Sequence, residues 1–344
     1  IMSTMKSRPV WGFQYTHILS PSMLNNFRVG RFKTVMYRGQ NKTTANNVAL
    51  EEFGIKNVRP EAFAYGPPGI AISTFQRAGV ADWQPIGADD SNLQFNDQVT
   101  WSKGRHTFRA GADLRWLSWY DLGWAIQNGT YTFNGQYSTN PFADYLLGIP
   151  SYAQVALRGE GKYSYTLKQG EWSTYVQDDF KVNSELTLNY GLRYELVQFP
   201  LEVDDALSNW DFPNHTMLFA GKDVPRRLIP TDKNNFSPRI GAAYNPKWSR
   251  KTVLRGAWAM MYGNFRQYEA ALQHFHPPYV NENFIYNDVP KPSYTMASLW
   301  SPPVTDFKHG DLSGTTVNYL ADKAMPLSYQ WNFNIQRELP GNFL

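Results

Sequence analysis

Leu327-Ser-Tyr-Gln-Trp-Asn-Phe-Asn-Ile-Gln-Arg-Glu-Leu339 alternates with period two. Its odd positions are Leu327, Tyr329, Trp331, Phe333, Ile335, Arg337 and Leu339, all apolar but Arg337. Its even positions, Ser328, Gln330, Asn332, Asn334, Gln336 and Glu338, are all polar. Successive side chains of an extended chain point to opposite faces, so this segment reads as a strand with one apolar and one wet face. The same pattern returns at 185–197, where Leu186, Leu188, Tyr190, Leu192, Tyr194 and Leu196 oppose Glu185, Thr187, Asn189, Arg193 and Glu195. It returns at 106–116, with Phe108, Ala110, Ala112, Leu114 and Trp116 against Arg109, Asp113 and Arg115. It returns again at 93–101, where Asp97 interrupts the face of Leu93, Phe95, Val99 and Trp101.

Weaker alternation marks strands at about 9–19, 23–35, 170–182, 237–245 and 251–262. The total is about nine strands and the start of a tenth, most of them 9–13 residues long. Strands in soluble cores average about 5–6 residues; a tilted membrane-spanning strand needs about 9–11. The connections alternate in length. Short ones fall around Ser20-Pro21, Lys103-Gly104, Asn183-Ser184, Lys247-Trp248-Ser249 and Pro340-Gly341. Long ones cover roughly 36–91, 120–170, 197–236 and 263–326. Loops above about 15 residues are uncommon in compact domains. Tight turns on one rim and long loops on the other are what an outer-membrane barrel has, and lipid demands closure because it cannot satisfy a free sheet edge.

Composition agrees. The chain has 344 residues, with 12 Trp, 21 Tyr and 21 Phe but only 18% charged residues. Disordered chains have the opposite balance. Mean hydropathy is −0.49, and no apolar run is long enough for a spanning helix. The 33 Lys and Arg are interleaved with 29 Asp and Glu, giving a net charge of +4 without a basic stripe, which argues against nucleic-acid binding. Without cysteine there are no disulfides, thiolate metal sites or thiol nucleophiles. Trp101, Trp116, Trp119, Tyr120, Trp172, Phe199 and Trp248 fall near the expected strand ends, where rings suit a lipid–water boundary. A soluble sandwich or propeller would use the same rings as core. Propeller blades recur every 40–50 residues with a shared signature, and these hairpins share no motif and recur irregularly.

The expected fold is thus an all-β, antiparallel up-and-down transmembrane β-barrel, present in part, with long extracellular loops. Residues 1–344 form part of one barrel domain, and the first and last residues read as cuts within a longer chain. If the apolar faces meet lipid, then Arg109, Asp113, Arg115, Asp179, Lys181, Arg193 and Glu195 face the lumen. Their mixed signs favour pairing across strands over a one-sign ion filter. In the loop at 263–326, Tyr268, Phe275, Tyr279, Tyr286 and Trp300 are candidate ligand contacts by stacking, or else they pack the loops together. His274 and His276 lie two apart, with His309 further on, but no third ligand is fixed by spacing, so no metal site is assigned. Nor is a cofactor. His-Glu-x-x-His, the Walker lysine loop and Gly-x-Ser-x-Gly are all missing. Asp178 and Asp179 are adjacent on a strand and point to opposite faces, so they cannot work as a dyad. The chain is not expected to be an enzyme. Asp178 itself is expected on the apolar face near a strand end, where the interface lowers its cost.

Five segments resemble, in order, the barrel of TonB-dependent outer-membrane receptors, most closely the large Oar-like group. They are Asn92–Leu114, Pro141–Pro150 (PFADYLLGIP), Trp172–Leu196 (with YVQDDF), Asn235–Pro246 (with SPRIG) continued by Thr252–Tyr262, and Leu327–Asn342. The resemblance implies an outer-membrane location and partners in membrane lipid, a plug domain, the TonB protein and an unknown extracellular ligand. It implies active uptake of a scarce ligand into the periplasm. A passive, adhesive or structural barrel of the same family is the alternative, and a secreted glycan-binding β protein a further one. Plugged transporters have 22 strands, so the segment leaves two sheet edges open.

Overall fold

The computed structural model describes residues 2–7, 10–39, 48–55, 66–79, 86–122, 128–158, 164–249, 251–265, 267–275, 279–299 and 325–338. Its strands are β1 (Met2–Ser7), β2 (Trp11–Ser20), β3 (Met23–Gly39), β4 (Gly69–Ile72), β5 (Ile86–Lys103), β6 (His106–Leu122), β7 (Thr130–Phe133), β8 (Tyr152–Arg158), β9 (Ser164–Lys181), β10 (Leu186–Val197), β11 (Leu201–Glu202), β12 (Ser208–Asp211), β13 (Thr216–Phe219), β14 (Asn235–Tyr244), β15 (Thr252–Tyr262), β16 (Val280–Tyr286) and β17 (Leu327–Arg337). Helices are short: α1 (Val48–Glu51), α2 (Pro141–Leu146) and α3 (Gln267–Leu272).

The nine strands expected from alternation all lie in one antiparallel sheet. Its order is β1-β3-β5-β6-β9-β10-β14-β15-β17, with β2 beside the lower half of β3 and β11 beside the upper end of β9. Sequential strands are neighbours along most of this path, the up-and-down pattern of a barrel wall. The sheet is open, with edges at β1, β2 and β17. Cross-strand register keeps the two faces separate. Trp258 pairs with Trp331 and Ile240 on the apolar face, while Arg255 pairs with Asn334 and Ala243 on the other.

Four strands run further than the alternation predicts. β5 and β9 have 18 residues and β3 and β6 have 17, well beyond the about 9–11 needed to cross a bilayer. Trp116 and Trp172 therefore lie inside strands rather than at their ends. On the apolar face, rings gather at two levels. Trp101, Phe108 and Phe180 sit near the tight turns, and Trp116, Tyr120 and Trp172 sit about eight residues or more higher. That spacing approximates the apolar band between two aromatic girdles.

The long connections are more structured than loops. Within them β4, β7, β8 and β16 form a second sheet, in the order β16-β8-β7-β4, and β12–β13 a hairpin. Short strands of mixed pairing do not show long alternation, so the sequence pattern missed them. The second sheet has its own core of Ile55, Ile70, Tyr131, Phe133 and Ala153. Helix α2 enters it through Asn140, whose side-chain oxygen accepts from the N–H groups of Phe142 and Ala143 at 2.9 and 3.3 Å. This is an N-cap followed by Pro at the first helical turn.

Candidate functional site: the polar wall and its mouth

The candidate site is the polar face of the main sheet. Odd positions of β6, β9, β10 and β14 share this face with even positions of β5 and β17. The predicted lumen residues all lie on it, and most are drawn into cross-strand contacts. Arg109 on β6 pairs with Asp179 on β9. Asp179 also accepts from Asn189 on β10 at 2.6 Å and from Gln177 at 3.2 Å. Asp113 accepts from Gln94 of β5 at 2.8 Å and from Arg115 at 2.9 Å. Arg115 reaches on to Glu171 at 3.7 Å. Arg193 donates to Glu195 at 2.8 Å and to the Ser173 hydroxyl at 2.6 Å. Glu195 accepts from Ser237 on β14 at 3.3 Å. Lys181 is exposed and forms no ion pair among the described residues.

The result is a hydrated wall of balanced charge across four strands. Each pair is worth little to stability where water screens it. Together they fix polar side chains in register and set no single-sign field. Gln94, Gln98, Ser173, Gln177, Asn189 and Glu171 were not among the predicted lumen residues, yet they complete these contacts. Their parity in the strands was the available signal. Tyr175 is another such residue: it lies opposite Gly111 and donates to Gln98 at 2.7 Å.

Toward the long-connection end the same face becomes apolar. Tyr165 and Leu167 of β9 pack with Phe199, Leu207, Leu228, Ile229, Ala270 and Ala271. The connections therefore fold over the polar face rather than away from it. Gln169 donates to the carbonyl of Phe265 at 3.3 Å, and Asn264 to Glu171 at 3.1 Å. Glu202 is buried and accepts from the backbone N–H groups of Thr166, Asp204 and Ala206 at 3.1, 2.7 and 2.9 Å. Arg227 donates to the carbonyl of Phe199 at 2.5 Å; burial, reinforced by neighbouring Arg226, lowers its pKa from the usual guanidinium range.

The predicted loop contacts divide. Phe275 meets Tyr165 edge-on at 6.0 Å. Tyr279 stacks on His274 at 5.7 Å and donates to the Asp205 carbonyl at 3.2 Å. Both pack loops together. Tyr268 on α3 is 45% exposed, and Tyr286 at the end of β16 is 76% exposed. Trp300, His276 and His309 lie outside the described residues. His274 sits in a 3₁₀ turn at Gln273–Phe275, not on a strand, so the two-apart strand geometry does not apply to it. Its Nδ1 donates to the Ala206 carbonyl at 2.8 Å. Among the described residues no group of three or more His, Asp or Glu is placed to hold a metal.

Asp178 does lie on the apolar face, as expected, but it is nearly buried there and is bonded by His106 and Tyr190 from both neighbouring strands. Asp97 is satisfied similarly, accepting from Asn25 at 2.7 Å.

Comparison with known proteins places the fold. Residues 3–344 match the family model described as outer membrane beta barrel domain. The chain belongs to that family, and it is an outer-membrane protein. No curated protein matches the sequence. Among solved structures the chain is similar to the outer membrane transporter YddB from Escherichia coli, with 10% identity and a TM-score of 0.42. That match covers 77% of this chain, and the chain spans 27% of the transporter's length.

Proposed function

We propose that the chain is part of the barrel wall of a TonB-dependent receptor that imports a scarce ligand into the periplasm. The observation that carries this reading is the inward packing of the connections. Phe199, Leu207, Leu228 and Ala270 cover the polar face at its upper end, above a wall of paired charges. A polar path closed at its mouth suits a ligand that is first bound outside and then admitted. In this reading the apolar face meets lipid, and Arg109, Asp113, Arg115, Asp179, Lys181, Arg193 and Glu195 line the lumen. Of the predicted loop contacts among the described residues, Tyr268 and Tyr286 are exposed and in this reading meet the ligand. Dependence on TonB and on a plug domain comes from the sequence resemblance. No catalytic step is assigned.

A second reading, an adhesive or structural barrel, has its own support. Phe75, just after β4, and Phe142 of α2 are exposed with ring centres 5.8 Å apart, and Leu146 and Leu147 at the end of α2 are exposed too; exposed apolar patches mark interaction surfaces. The two separate in a binding test between the full-length receptor and the purified periplasmic domain of TonB. Specific retention is expected for an energy-coupled importer. Its absence, in a protein recovered intact from the outer membrane, favours the adhesive barrel.

A further inference from the structure

The turn between β5 and β6 carries a feature that neither transport nor adhesion uses. A hollow of about 490 Å³ opens beside it, lined by Trp101, Lys103, Arg105, His106, Phe108 and Phe180. The rings belong to the apolar face at the level nearest the tight turns. Trp101 and Phe108 lie 5.7 Å apart, and His106 stacks between Phe108 at 5.4 Å and Phe180 at 4.3 Å. Lys103 and Arg105 stand just beyond the rings, both exposed. The Lys103 ammonium sits 5.2 Å from the Trp101 ring centre. Arg105 gives one N–H to the Val182 carbonyl at 2.8 Å, which holds the guanidinium over the rim and leaves its other donors available. No carboxylate lines the hollow. Asp178, the acid bonded to the lining residue His106, is 4% exposed and is also bonded by Tyr190.

We propose that this hollow binds the phosphate head group of an anionic phospholipid, with its acyl chains against the ring face. In an outer-membrane barrel the tight turns face the periplasm, so the cations lie at the head-group level of the inner leaflet. A guanidinium and an ammonium in one place suit a phosphate oxygen cluster, and the rings supply the adjoining apolar surface. The proposal rests on the apolar face meeting lipid and is independent of import.

Native mass spectrometry of the full-length protein from outer membranes tests it, with added phosphatidylglycerol compared with phosphatidylethanolamine. Retention of phosphatidylglycerol should exceed that of phosphatidylethanolamine several-fold. Lys103→Gln should weaken that preference and Lys103→Gln with Arg105→Gln should abolish it. Lys247→Gln with Lys251→Gln, on another turn of the same rim, should leave it intact. Lys103→Gln alone keeps the Arg105 turn bond, so the test survives if the double variant fails to assemble. Equal retention of the two lipids, or equal effects of the two double variants, would overturn the proposal. Recovery of the protein outside the membrane fraction would instead overturn the assignment of the apolar face to lipid.

Discussion

Asp178 and His106 meet on the apolar face of the sheet, with the imidazole Nδ1 2.6 Å from a carboxylate oxygen. The Tyr190 hydroxyl donates to the same oxygen at 2.7 Å from the strand on the other side. An acid on a lipid-facing strand would carry a depth-dependent penalty. Here two donors and a stack of rings take it out of the surface. Its position near a tight turn is thus only part of why it is tolerated.

The first prediction follows from this contact. His106→Phe leaves a buried carboxylate with half its partners and should cost about 3 kcal/mol. Adding Asp178→Leu should recover most of that loss, because removing both partners of a buried pair is often near neutral. Urea unfolding of the full-length barrel in detergent reads both. A single variant as stable as the parent would mean the pair contributes nothing.

Gly111 gives a sharper packing test. A Cβ there would stand 2.6 Å from the Asp97 carbonyl and 2.9 Å from the Tyr175 ring that lies over it. Gly111→Ala should cost about 1–3 kcal/mol by overpacking. Gly12→Ala, whose nearest neighbour would be 3.7 Å away, should be tolerated within about 1 kcal/mol. Equal stabilities in the same unfolding assay would show that the Asp97 backbone and the Tyr175 ring both shift at little cost.

Gln169 ties the inward connection to β9 through the Phe265 carbonyl. Gln169→Ala removes the donor to Phe265 and should weaken the attachment by about 1 kcal/mol. Hydrogen exchange across 264–275 should then speed up several-fold while β9 and β10 stay protected. Unchanged exchange would place the anchoring in the apolar packing of Ala270 and Ala271 instead.

The second sheet should respond to alkali. Tyr294 donates to the Ile285 carbonyl at 2.8 Å. Burial, reinforced by Tyr137 and Asp288, pushes its phenol well above the ordinary range. Its raised folded-state pKa means its stabilisation is complete below about pH 10, the ordinary phenol value, and is lost as pH rises beyond that. Protection of the β16 amides, taken relative to the intrinsic exchange rate at each pH, should fall above that pH, and Tyr294→Phe should remove that fall. The same fall in the variant would assign it to another group.

What could be read from the sequence follows the length of the alternation. The run at 327–339 spans enough residues for its period to be unmistakable, and β17 forms over Leu327–Arg337. The shared face of β6, β9 and β10 followed from parity, and Arg109, Asp179, Arg193 and Glu195 lie together on it. The four-residue strands β4 and β7 are too short to show a period, and they pair parallel to each other. The inward fold of 263–275 was not legible either, because Phe265 and Phe275 look alike whether they grip a ligand or pack on Phe199 and Tyr165. Register alone reveals that His106 and Tyr190 flank Asp178, and a single sequence does not supply register.

In a barrel wall, alternate residues of these strands face water and lipid. The chain contains no cysteine, so, with any cysteine outside these residues replaced, single thiols can be introduced here one at a time in the full-length protein in native outer membranes. A small, charged, water-soluble maleimide should label Gln177→Cys and Asn189→Cys on the polar face. It should leave Val176→Cys, Leu192→Cys and Ile240→Cys unlabelled until detergent is added. Labelling of both sets alike before detergent would contradict the barrel-wall account.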